Sequence, residues 1–596
     1  MKLRLTAELI APSINSVVLQ DADRQQWLYF QNPIEILTTT YVAEVIPLLE
    51  KVQQFVDRGY YAAGFLSYEA APAFDSSFKV ISCKKFPLVW FGIYADFNVV
   101  TLPEIDDRSF ISLNWKPSIS REEYGKAIAK IKSYIAQGLT YQVNFSFRLQ
   151  AQFLADPWNY FLQLIQAQNC QYGAFISLEN WAICSASPEL FFQQNRSNSQ
   201  AQIICRPMKG TLARGLAGND RHLANALRNS EKNQAENLMI VDMIRNDLGR
   251  IAEIGSVQVP QLFNVEQYPT LWQMTSSVQC LTQADFVEMW RSLFPCASIT
   301  GAPKSSTMQI IAELEESSRR IYTGTIGYFT PEKTAQFNVA IRTVLIDRIQ
   351  KTAEYGVGGG IVWDSIEADE YDECCTKAKV LAQPQFELLE TLLWTPSEYF
   401  LLDFHLQRLQ TSASYFAFKV DIDRVRDRLL STIQTLPPLP HKVRLRVSNQ
   451  GKTQIETAIL TDDELGQSLQ VALADSPVNS ADIFLYHKTT NRSIYKQMKQ
   501  QYLNFDEVLL WNEKGELTEF CTGNLVVELD NKWYTPPLAC GLLAGTYRRY
   551  LLQRGKVQER IIRREELHDC SRIFLINSVR QMCEAIVQEC SIANHS

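Results

Sequence analysis

Hydrophobic residues along the chain follow strand and helix periods in alternating stretches. The run Leu88–Val100 (LVWFGIYADFNVV) is apolar with few interruptions, which is typical of β-structure. From Arg121 to Gln137, the apolar residues Ile128, Ile131 and Ile135 recur every three or four positions. This spacing predicts a helix with one buried face.

The pattern is interrupted once and then restarts. The connector Ala382–Phe386 (AQPQF) has a proline and no apolar periodicity, which indicates a domain boundary. Strand-like runs follow at Glu387–Trp394 and Tyr399–Leu402, and then a helix-like stretch at His405–Phe416. A second break at Leu436–Pro440 (LPPLP) predicts a loop between subdomains. Helices and strands mix on both sides of the connector, so the fold class is α/β or α+β.

Composition and charge narrow the functional class. The 596 residues suggest three or four compact units. A net charge of −7 and a pI near 5.6 argue against nucleic-acid binding. The sequence has thirteen cysteines but no C-x-x-C pair, which predicts reduced thiols. Its N-terminus does not resemble a signal peptide, and it has no apolar run long enough for a membrane helix. These features predict a soluble, cytoplasmic protein.

Several polar clusters stand out in an apolar context. They are Ser187–Phe191 (SPELF), Arg206–Thr211 (RPMKGT), Glu236–Arg250 (ENLMIVDMIRNDLGR), Ser298–Lys304 (SITGAPK) and Gly356–Gly360 (GVGGG). Farther on, Glu370 and Glu373 are three residues apart on a predicted helix and share one face. Paired carboxylates suit Mg²⁺, and Glu236 would complete such a site. From spacing alone, a solvated acidic face is the more common outcome.

The glycine run and Lys209 can each be interpreted as a functional or as a purely structural feature. The glycines of GVGGG would expose backbone N–H groups to an anion, or they would form a tight turn between strands. Lys209 lies between apolar residues and a glycine, and a partly desolvated lysine is a nucleophile. On residue type alone, an exposed and inert lysine is favoured.

Taken together and in this order, the clusters resemble the chorismate-utilising enzymes, which include anthranilate, isochorismate and aminodeoxychorismate synthases. The resemblance covers about residues 55–382. Its further motifs are GFLSYEAAPAF (64–74), YIAQGLTYQVNFS (134–146), GTIGYF (324–329), FNVAIRTV (337–344) and ECCTKAKVL (373–381). It implies an α+β fold, an α/β/β/α sandwich of antiparallel sheets.

One position separates the branches of this family. Aminodeoxychorismate synthases have P-I-K-G-T where anthranilate synthases have alanine in place of the lysine, and this chain reads PMKGT with Lys209. The resemblance implies that Lys209 attacks C2 of chorismate with loss of the C4 hydroxyl. Ammonia then attacks C4 and releases the lysine. Gln273 stands where anthranilate synthases have a histidine linked to pyruvate elimination, which implies that the enolpyruvyl group is retained.

The resemblance assigns further roles. Glu236, Glu370 and Glu373 would hold Mg²⁺, and Glu189 would be the acid/base near the leaving hydroxyl. The implied substrate-binding residues are Thr300, Tyr322, Arg342, Gly358, Gly359, Gly360 and Lys377. Ala297 stands where the family has glycine. Because the sequence carries no glutaminase motif, ammonia is expected from a separate glutamine amidotransferase subunit.

In the last third of the chain, Lys488, Glu519 and Arg408 match the needs of pyridoxal phosphate. That cofactor requires a lysine, an acid at the pyridine nitrogen and a cup for the phosphate. On residue type alone, surface charges in loops are favoured. The motifs DFHLQRLQTSASYF (403–416), HKTTNR (487–492), EVLLWNEKGELTEFCTGNLVVE (507–528), YTPPLACGLLAGTYRRYLL (534–552) and FLINSVR (574–580) resemble class IV pyridoxal-phosphate enzymes. These are aminotransferases and aminodeoxychorismate lyase, and they have a fold of two subdomains.

This second resemblance also implies residue roles. Lys488 would bind the cofactor covalently and carry protons, and Glu519 would pair with the pyridine nitrogen. Arg408 and the backbone of Thr546 and Tyr547 would hold the phosphate, although Tyr547 replaces a small residue of the family. The substrate-side residues would be Thr391, Asn577, Ser578 and Arg580.

The joint presence of both regions favours a bifunctional enzyme. It would aminate chorismate and then eliminate pyruvate to give 4-aminobenzoate for folate. Two alternatives are an anthranilate- or isochorismate-type synthase fused to an amino-acid aminotransferase, and a non-catalytic regulatory or scaffold protein. The expected domains are 1–115 and 116–382 of the synthase and 386–596 of the pyridoxal-phosphate region, through which a homodimer is expected.

Overall fold

A computed structural model describes residues 7–103, 110–168, 170–197, 200–216, 218–268, 271–382, 386–461 and 468–588. The chain divides into two compact units. The first comprises residues 1–214 and 222–384, and the second comprises residues 215–221 and 385–596. The finer division at residue 115 stays a prediction. Within the described residues, no helix is both long and apolar enough to span a membrane.

The first unit is built from long strands and shorter helices. Its strands are β1 Ala7–Glu8, β2 Ser16–Asp21, β3 Gln26–Phe30, β4 Glu35–Thr39, β5 Tyr61–Leu66, β6 Val89–Tyr94, β7 Asn98–Thr101, β8 Lys116–Pro117, β9 Gln142–Gln152, β10 Tyr172–Ser177, β11 Trp181–Ser187, β12 Leu190–Ser197, β13 Gln200–Arg206, β14 Met208–Ala213, β15 Gln258–Gln267, β16 Leu271–Thr282, β17 Gly301–Ala302, β18 Thr325–Phe329, β19 Ala335–Val339, β20 Thr343–Asp347 and β21 Thr352–Ile361. Its α-helices are α1 Val42–Asp57, α2 Arg121–Ala136, α3 Pro157–Gln168, α4 Asp220–Arg228, α5 Glu231–Gly249, α6 Phe286–Leu293, α7 Lys304–Leu314 and α8 Glu367–Ala378.

These strands form two large sheets. The first sheet has the order β1-β7-β3-β2-β10-β11-β20-β21-β9-β17, and β8 also pairs with β9. The second has the order β14-β16-β13-β12-β19-β18-β5-β6-β4, and β15 also pairs with β16. Among the described strands, neighbours in both sheets are antiparallel except β1 and β7.

The alternation of side chains along the strands explains the layers. On β2, Val17 and Leu19 pack between the sheets, whereas Val18 faces the helices α2, α3, α7 and α8. On β5, Phe65 packs between the sheets and Leu66 faces α1, α5 and α6. Each sheet is therefore covered by helices on its outer face. This confirms the predicted α/β/β/α sandwich.

The predicted helix at 121–137 is α2. Ser120 caps its N-terminus and Glu123 bonds back to the Ser120 backbone, which is a capping box. Ile128 and Ile131 are buried as the spacing predicted, and Ile135 is half-buried. The apolar run at 88–100 is divided between β6 and β7.

The second unit contains the remaining elements. They are β22 Leu388–Trp394, α9 Leu402–Phe416, α10 Ile422–Ile433, β23 His441–Val447, β24 Thr453–Ile459, β25 Leu469–Leu473, α11 Ser493–Gln501, β26 Glu507–Trp511, β27 Leu517–Phe520, β28 Asn524–Leu529, β29 Lys532–Thr535, α12 Thr546–Gln553, β30 Gln558–Glu559, β31 Arg572–Asn577 and β32 Gln581–Gln588. A small sheet, β22-β23-β24, packs on α9 and α10. A larger sheet has the order β27-β26-β25-β32-β31-β28-β29-β30. These are the subdomains expected of a class IV fold.

Two sequence predictions in this unit are wrong. The run Tyr399–Leu402 is not a strand, because Tyr399 makes only an isolated bridge to Trp394 and Leu401 takes a left-handed conformation (φ 58°) at the start of α9. The loop 436–440 joins α10 to β23, and both belong to the small subdomain. Its prolines therefore mark a turn within one core, not a subdomain boundary.

Candidate active sites

A cavity of about 140 Å³ in the first unit draws on both sheets and on α5 and α8. It collects nearly all the residues predicted for the first site. Its lining includes Glu189, Lys209, Glu236, Gln273, Tyr322, Arg342, Gly358, Gly359, Gly360, Glu370, Glu373 and Lys377.

The prediction that Thr300 binds substrate is wrong. Thr300 is not among the lining residues, and its hydroxyl donates to the carbonyls of Cys296 (3.1 Å) and Ala297 (3.3 Å). Thr300 therefore closes the short 3₁₀ turn in front of β17 instead of facing a substrate. Ala297 begins that turn without a positive φ, so the turn does not require the family's glycine.

Lys209 lies on β14, at a bulge opposite β16. The next residue, Gly210, has φ +94°, which favours glycine. Gln273 on β16 donates to the Gly210 carbonyl (2.9 Å), and Asn237 on α5 donates to the Lys209 carbonyl (3.3 Å). Side chains from a strand and a helix therefore fix the backbone that carries the lysine. The side chain of Lys209 is half-buried, unlike an ordinary surface lysine.

The GVGGG run is an extended part of β21 and not a tight turn. It pairs with β9 on one side, whereas β20 on the other side pairs with β21 only from Thr352 to Tyr355. Opposite Gly358, Ser146 on β9 directs its N–H away from β21, towards Glu315 (2.9 Å). The N–H of Gly358 must therefore also point away from β9 and towards the edge that β20 leaves open. This geometry gives the strand a backbone donor on the cavity side.

The glycines also let other groups approach this strand. A Cβ atom on Gly356 would overlap the Tyr322 ring, and one on Gly360 would overlap the side-chain nitrogens of Gln142 and Lys209. The Lys209 amine therefore lies directly against the backbone of β21. A side chain at residue 360 would displace it.

Glu189 is buried at the cavity wall, with 2% of its surface exposed. The Ser298 hydroxyl donates to its carboxylate (2.6 Å). Burial raises the pKa of Glu189 to about 7, although the Ser298 hydrogen bond and the nearby Lys209 and Lys377 oppose the rise. A carboxyl group with this pKa is both an acid and a base near neutral pH.

Glu236, Glu370 and Glu373 line the same cavity. Burial raises the pKa of Glu370, and the other two carboxylates add to the rise. Burial alone would also raise the pKa of Glu373, but Lys377, whose Nζ lies 2.7 Å away, outweighs it and lowers that pKa. Within the described ranges, no three acidic, thiol or imidazole groups are arranged to coordinate a metal. The repelling carboxylates fit a hard divalent cation, provided that Glu373 exchanges Lys377 for the ion.

Sequence reasoning missed Gln142 as a neighbour of Lys209 behind the cavity lining. It is buried beside Lys209, and its amide atoms have no hydrogen-bond partner among the residues described. The available signal was its position in the YQVNFS motif. Lys232 was also missed, one turn before Glu236 on α5, where it lines the cavity.

A second cavity, of about 420 Å³, lies in the second unit, within the size range of small-molecule sites. All the predicted cofactor and substrate residues line it except Tyr547. They are Thr391, Arg408, Lys488, Glu519, Thr546, Asn577, Ser578 and Arg580. Lys442 and Arg444 on β23 line it too. Sequence reasoning missed these two cations, although they alternate with buried residues in the strand pattern KVRLR, which places them on one face.

Lys488 and Glu519 have shifted pKa values. Burial in the cavity lowers the pKa of Lys488 to about 7, and the cations Arg492 and Arg408 reinforce this effect. Burial raises the pKa of Glu519 to about 7, although the Tyr495 hydroxyl donates to it (2.7 Å). An amine that is neutral in part of the molecules at pH 7 and a fixed buried carboxyl group fit a carbonyl cofactor with a basic ring nitrogen.

The wall near Arg408 fits a phosphate. Gly545 caps the N-terminus of α12, and its approach to the Asn524 amide leaves no room for a Cβ atom. Helix N-termini bind anions through free N–H groups. Arg408 donates to the Ala544 carbonyl (3.3 Å), so it lies beside this terminus. The Tyr547 side chain instead stacks on Tyr550, which leaves only its backbone as a phosphate contact.

Comparisons with known proteins identify the two regions of the chain. A family model described as chorismate binding enzyme matches residues 15–383, and one described as amino-transferase class IV matches residues 387–585. Aminodeoxychorismate synthase component 1 of Klebsiella aerogenes is 43% identical over 267 residues, which cover 44% of this chain and 58% of that protein. The Bacillus subtilis protein of that name is 33% identical over 383 residues, which cover 57% of this chain and 80% of that protein.

A solved structure shows the same fold as the first unit. Anthranilate synthase component I of Streptococcus pneumoniae superposes with a TM-score of 0.52 at 22% identity, covering 64% of this chain and 96% of that one. The chain thus belongs to the chorismate binding enzymes, and it carries a class IV aminotransferase-like domain after that region.

Proposed function

We propose that this chain converts chorismate to 4-aminobenzoate in two steps. The first cavity would aminate C4 of chorismate through Lys209 to give 4-amino-4-deoxychorismate, and the second would eliminate pyruvate. The observation that carries the proposal is the placement of Lys209 beside Glu189 in a cavity lined by three carboxylates and by the β21 edge. Relatives named aminodeoxychorismate synthase component 1 support it.

In the first step, the Lys209 amine attacks C2 while the C4 hydroxyl leaves. Glu189, with a pKa of about 7, is protonated in part of the molecules at neutral pH and supplies the proton that lets the hydroxyl leave as water. Ammonia then forms the new bond at C4, and the bond between C2 and Lys209 breaks. Glu189 accepts the proton that the incoming nitrogen loses.

Substrate carboxylates have two complementary partners. Arg342 is buried at the cavity wall, and Gly358 presents its N–H there. Glu236, Glu370 and Glu373 would hold Mg²⁺, which when bound neutralises carboxylate charge as a Lewis acid. Gln273 has no proton to exchange near neutral pH and is committed to the Gly210 carbonyl, so this cavity has no base at that position to remove the enolpyruvyl group.

In the second step, Lys488 and Glu519 would hold pyridoxal phosphate, which when bound withdraws electrons from the substrate carbon that carries the amino group. Lys488 moves protons between substrate carbons, because its pKa of about 7 allows both charge states. Lys442 and Arg444 give the cavity cations that match a substrate with two carboxylates. The preceding chorismate-binding region in the same chain favours the lyase reaction over amino-acid transamination.

Ammonia would come from a separate glutamine amidotransferase subunit. The named component 1 relatives support this inference. The purified chain is therefore expected to use ammonium salts and not glutamine. Added glutamine should support turnover only after the partner protein is supplied.

The test is product identification. Purified full-length protein receives chorismate, Mg²⁺ and ammonium, with and without pyridoxal phosphate. The proposal expects 4-aminobenzoate and equimolar pyruvate with the cofactor, and 4-amino-4-deoxychorismate without it. Formation of 2-aminobenzoate would refute the C4 assignment, and pyridoxamine phosphate accumulation with amino acids would favour a transaminase.

A further inference from the structure

A buried chain of hydrogen bonds lies behind the phosphate wall of the second cavity. His405 on α9 is 1% exposed, and its Nδ1 lies 2.6 Å from the carboxylate of Glu390 on β22. Its Nε2 lies 3.3 Å from the hydroxyl of Thr546, the first residue of α12. Thr546 lines the cavity, whereas His405 and Glu390 are not among its lining residues. The histidine therefore reaches the cavity through the threonine.

The proton on Nδ1 is fixed by Glu390. Burial alone would raise the pKa of this carboxyl group, but Arg408 and His405 outweigh burial and lower it to about 2. Arg408 donates twice to the carboxylate, through Nε (2.9 Å) and Nη2 (2.6 Å). An ionised carboxylate only accepts hydrogen bonds, so Nδ1 of His405 must be the donor.

The other ring nitrogen then sets the role of Thr546. In a neutral ring Nε2 is an acceptor, and the single hydroxyl proton of Thr546 points to it. The hydroxyl then turns only lone pairs towards the cavity, which repel a phosphate oxygen. In a cationic ring Nε2 donates to Thr546, and the hydroxyl proton is free to bond to the phosphate.

The charges around His405 keep it neutral without a ligand. Burial lowers its pKa below the usual 6.5, Arg408 on the same helix and Lys488 on the facing segment push in the same direction, and Glu390 on β22 opposes them. A phosphate at the α12 terminus would add about two negative charges next to Thr546. That charge favours the cationic ring.

We propose that His405 is a positioning residue that takes up a proton when a phosphate group binds at the N-terminus of α12. The protonated ring turns the Thr546 hydroxyl into a donor to the phosphate. The inference rests on the proposed function, because the phosphate is that of pyridoxal phosphate. Cofactor affinity should then fall as pH rises, because His405 loses its proton even though it does not touch the cofactor.

The experiment measures proton uptake on binding. The probe is pyridoxine 5′-phosphate, which has the ring and phosphate but no aldehyde, so Lys488 cannot react with it. Calorimetric titrations of the full-length apoprotein are run at pH 7–9 in buffers of different ionisation enthalpy. Wild type is expected to take up more protons per ligand than His405→Gln, which retains polar contacts but cannot titrate. Because Lys488 and Glu519 titrate in both proteins, the difference reports His405.

Affinity gives a second readout. At pH 7, His405→Gln is expected to bind the probe about tenfold more weakly, since a charge-assisted hydrogen bond is lost. The difference should shrink towards pH 9, where wild type no longer gains the proton. Thr546→Val should show the same pH-dependent loss, and it serves as the test if His405→Gln does not fold.

The outcomes separate this inference from the proposed function. Equal proton uptake and parallel pH dependence in wild type and His405→Gln would overturn the role of His405 while leaving the cofactor site intact. No probe binding to wild type at any pH would overturn the cofactor assignment itself. Thr411→Val, at an exposed position of α9 outside the cavity lining, is the control and should behave like wild type.

Discussion

The hydrogen bond from Ser298 to Glu189 gives the sharpest prediction for the amination step. Ser298→Ala removes a donor that stabilises the charged form of Glu189 across 2.6 Å. Loss of a hydrogen bond to a charged group corresponds to about 1.5 kcal/mol or more, which is about one pH unit. The pKa of Glu189, already about 7, should therefore rise further.

The consequence appears in the pH profile of amination. An ordinary glutamate is roughly 0.3% protonated at pH 7, whereas one with a pKa near 7 is about half protonated, a difference of about 3 kcal/mol. Turnover, measured at each pH with a saturating concentration of unprotonated NH₃, should fall above pH 7 as the acid is lost. In Ser298→Ala the fall should move about one unit towards alkaline pH. In Glu189→Gln turnover should drop roughly 10²–10⁴-fold and lose this dependence.

The assay is chorismate consumption with ammonium chloride, with product identity checked by chromatography. Ser133→Ala, at an exposed serine of α2, is the control and should leave the profile unchanged. If Ser298→Ala keeps the wild-type alkaline limb, or if Glu189→Gln retains full turnover, Glu189 is not the acid.

Further predictions concern both cavities. Gly360→Ala should lower the rate of amination but not that of pyruvate elimination, because its Cβ atom would push the Lys209 amine, the end of a flexible side chain, out of position. Gly249→Ala, with open space around its Cβ atom, is the control, and equal amination by the two variants would contradict the geometry. The rate at which Lys488 captures pyridoxal phosphate, followed by absorbance, should rise with pH through about 7, because only the neutral amine reacts. Arg492→Leu should move that midpoint to higher pH, since burial and this cation lower the pKa of Lys488, and an unmoved midpoint would refute that cause.

The sequence predicted the helix α2 well because periodicity reports burial, whereas the order of the layers was implied by the resemblance to the chorismate-utilising enzymes. Ile128 and Ile131 gave one buried helix face, and the motifs implied a helix–sheet–sheet–helix order. The short run at Tyr399–Leu402 failed because four apolar residues do not distinguish a strand from the entry to a helix, which here depends on a left-handed Leu401.

The sequence predicted which residues lie together in the cavity but not which residues they contact. Motifs bring Lys209 and Glu189 together, yet no local pattern shows that Gln142 lies against the lysine or that Thr300 turns inwards to Cys296. Those contacts depend on residues far apart along the chain. Lys442 could have been predicted from the sequence, because cations alternate with buried residues along its strand.

The most direct measurement of the central claim separates the two lysines. Lys209→Ala and Lys488→Ala are each given chorismate, ammonium, Mg²⁺ and pyridoxal phosphate, and products are identified by mass spectrometry. Lys488→Ala should accumulate 4-amino-4-deoxychorismate, and Lys209→Ala should leave chorismate unused yet convert that accumulated product to 4-aminobenzoate and pyruvate. Undiminished 4-aminobenzoate from chorismate with either variant alone would contradict the account.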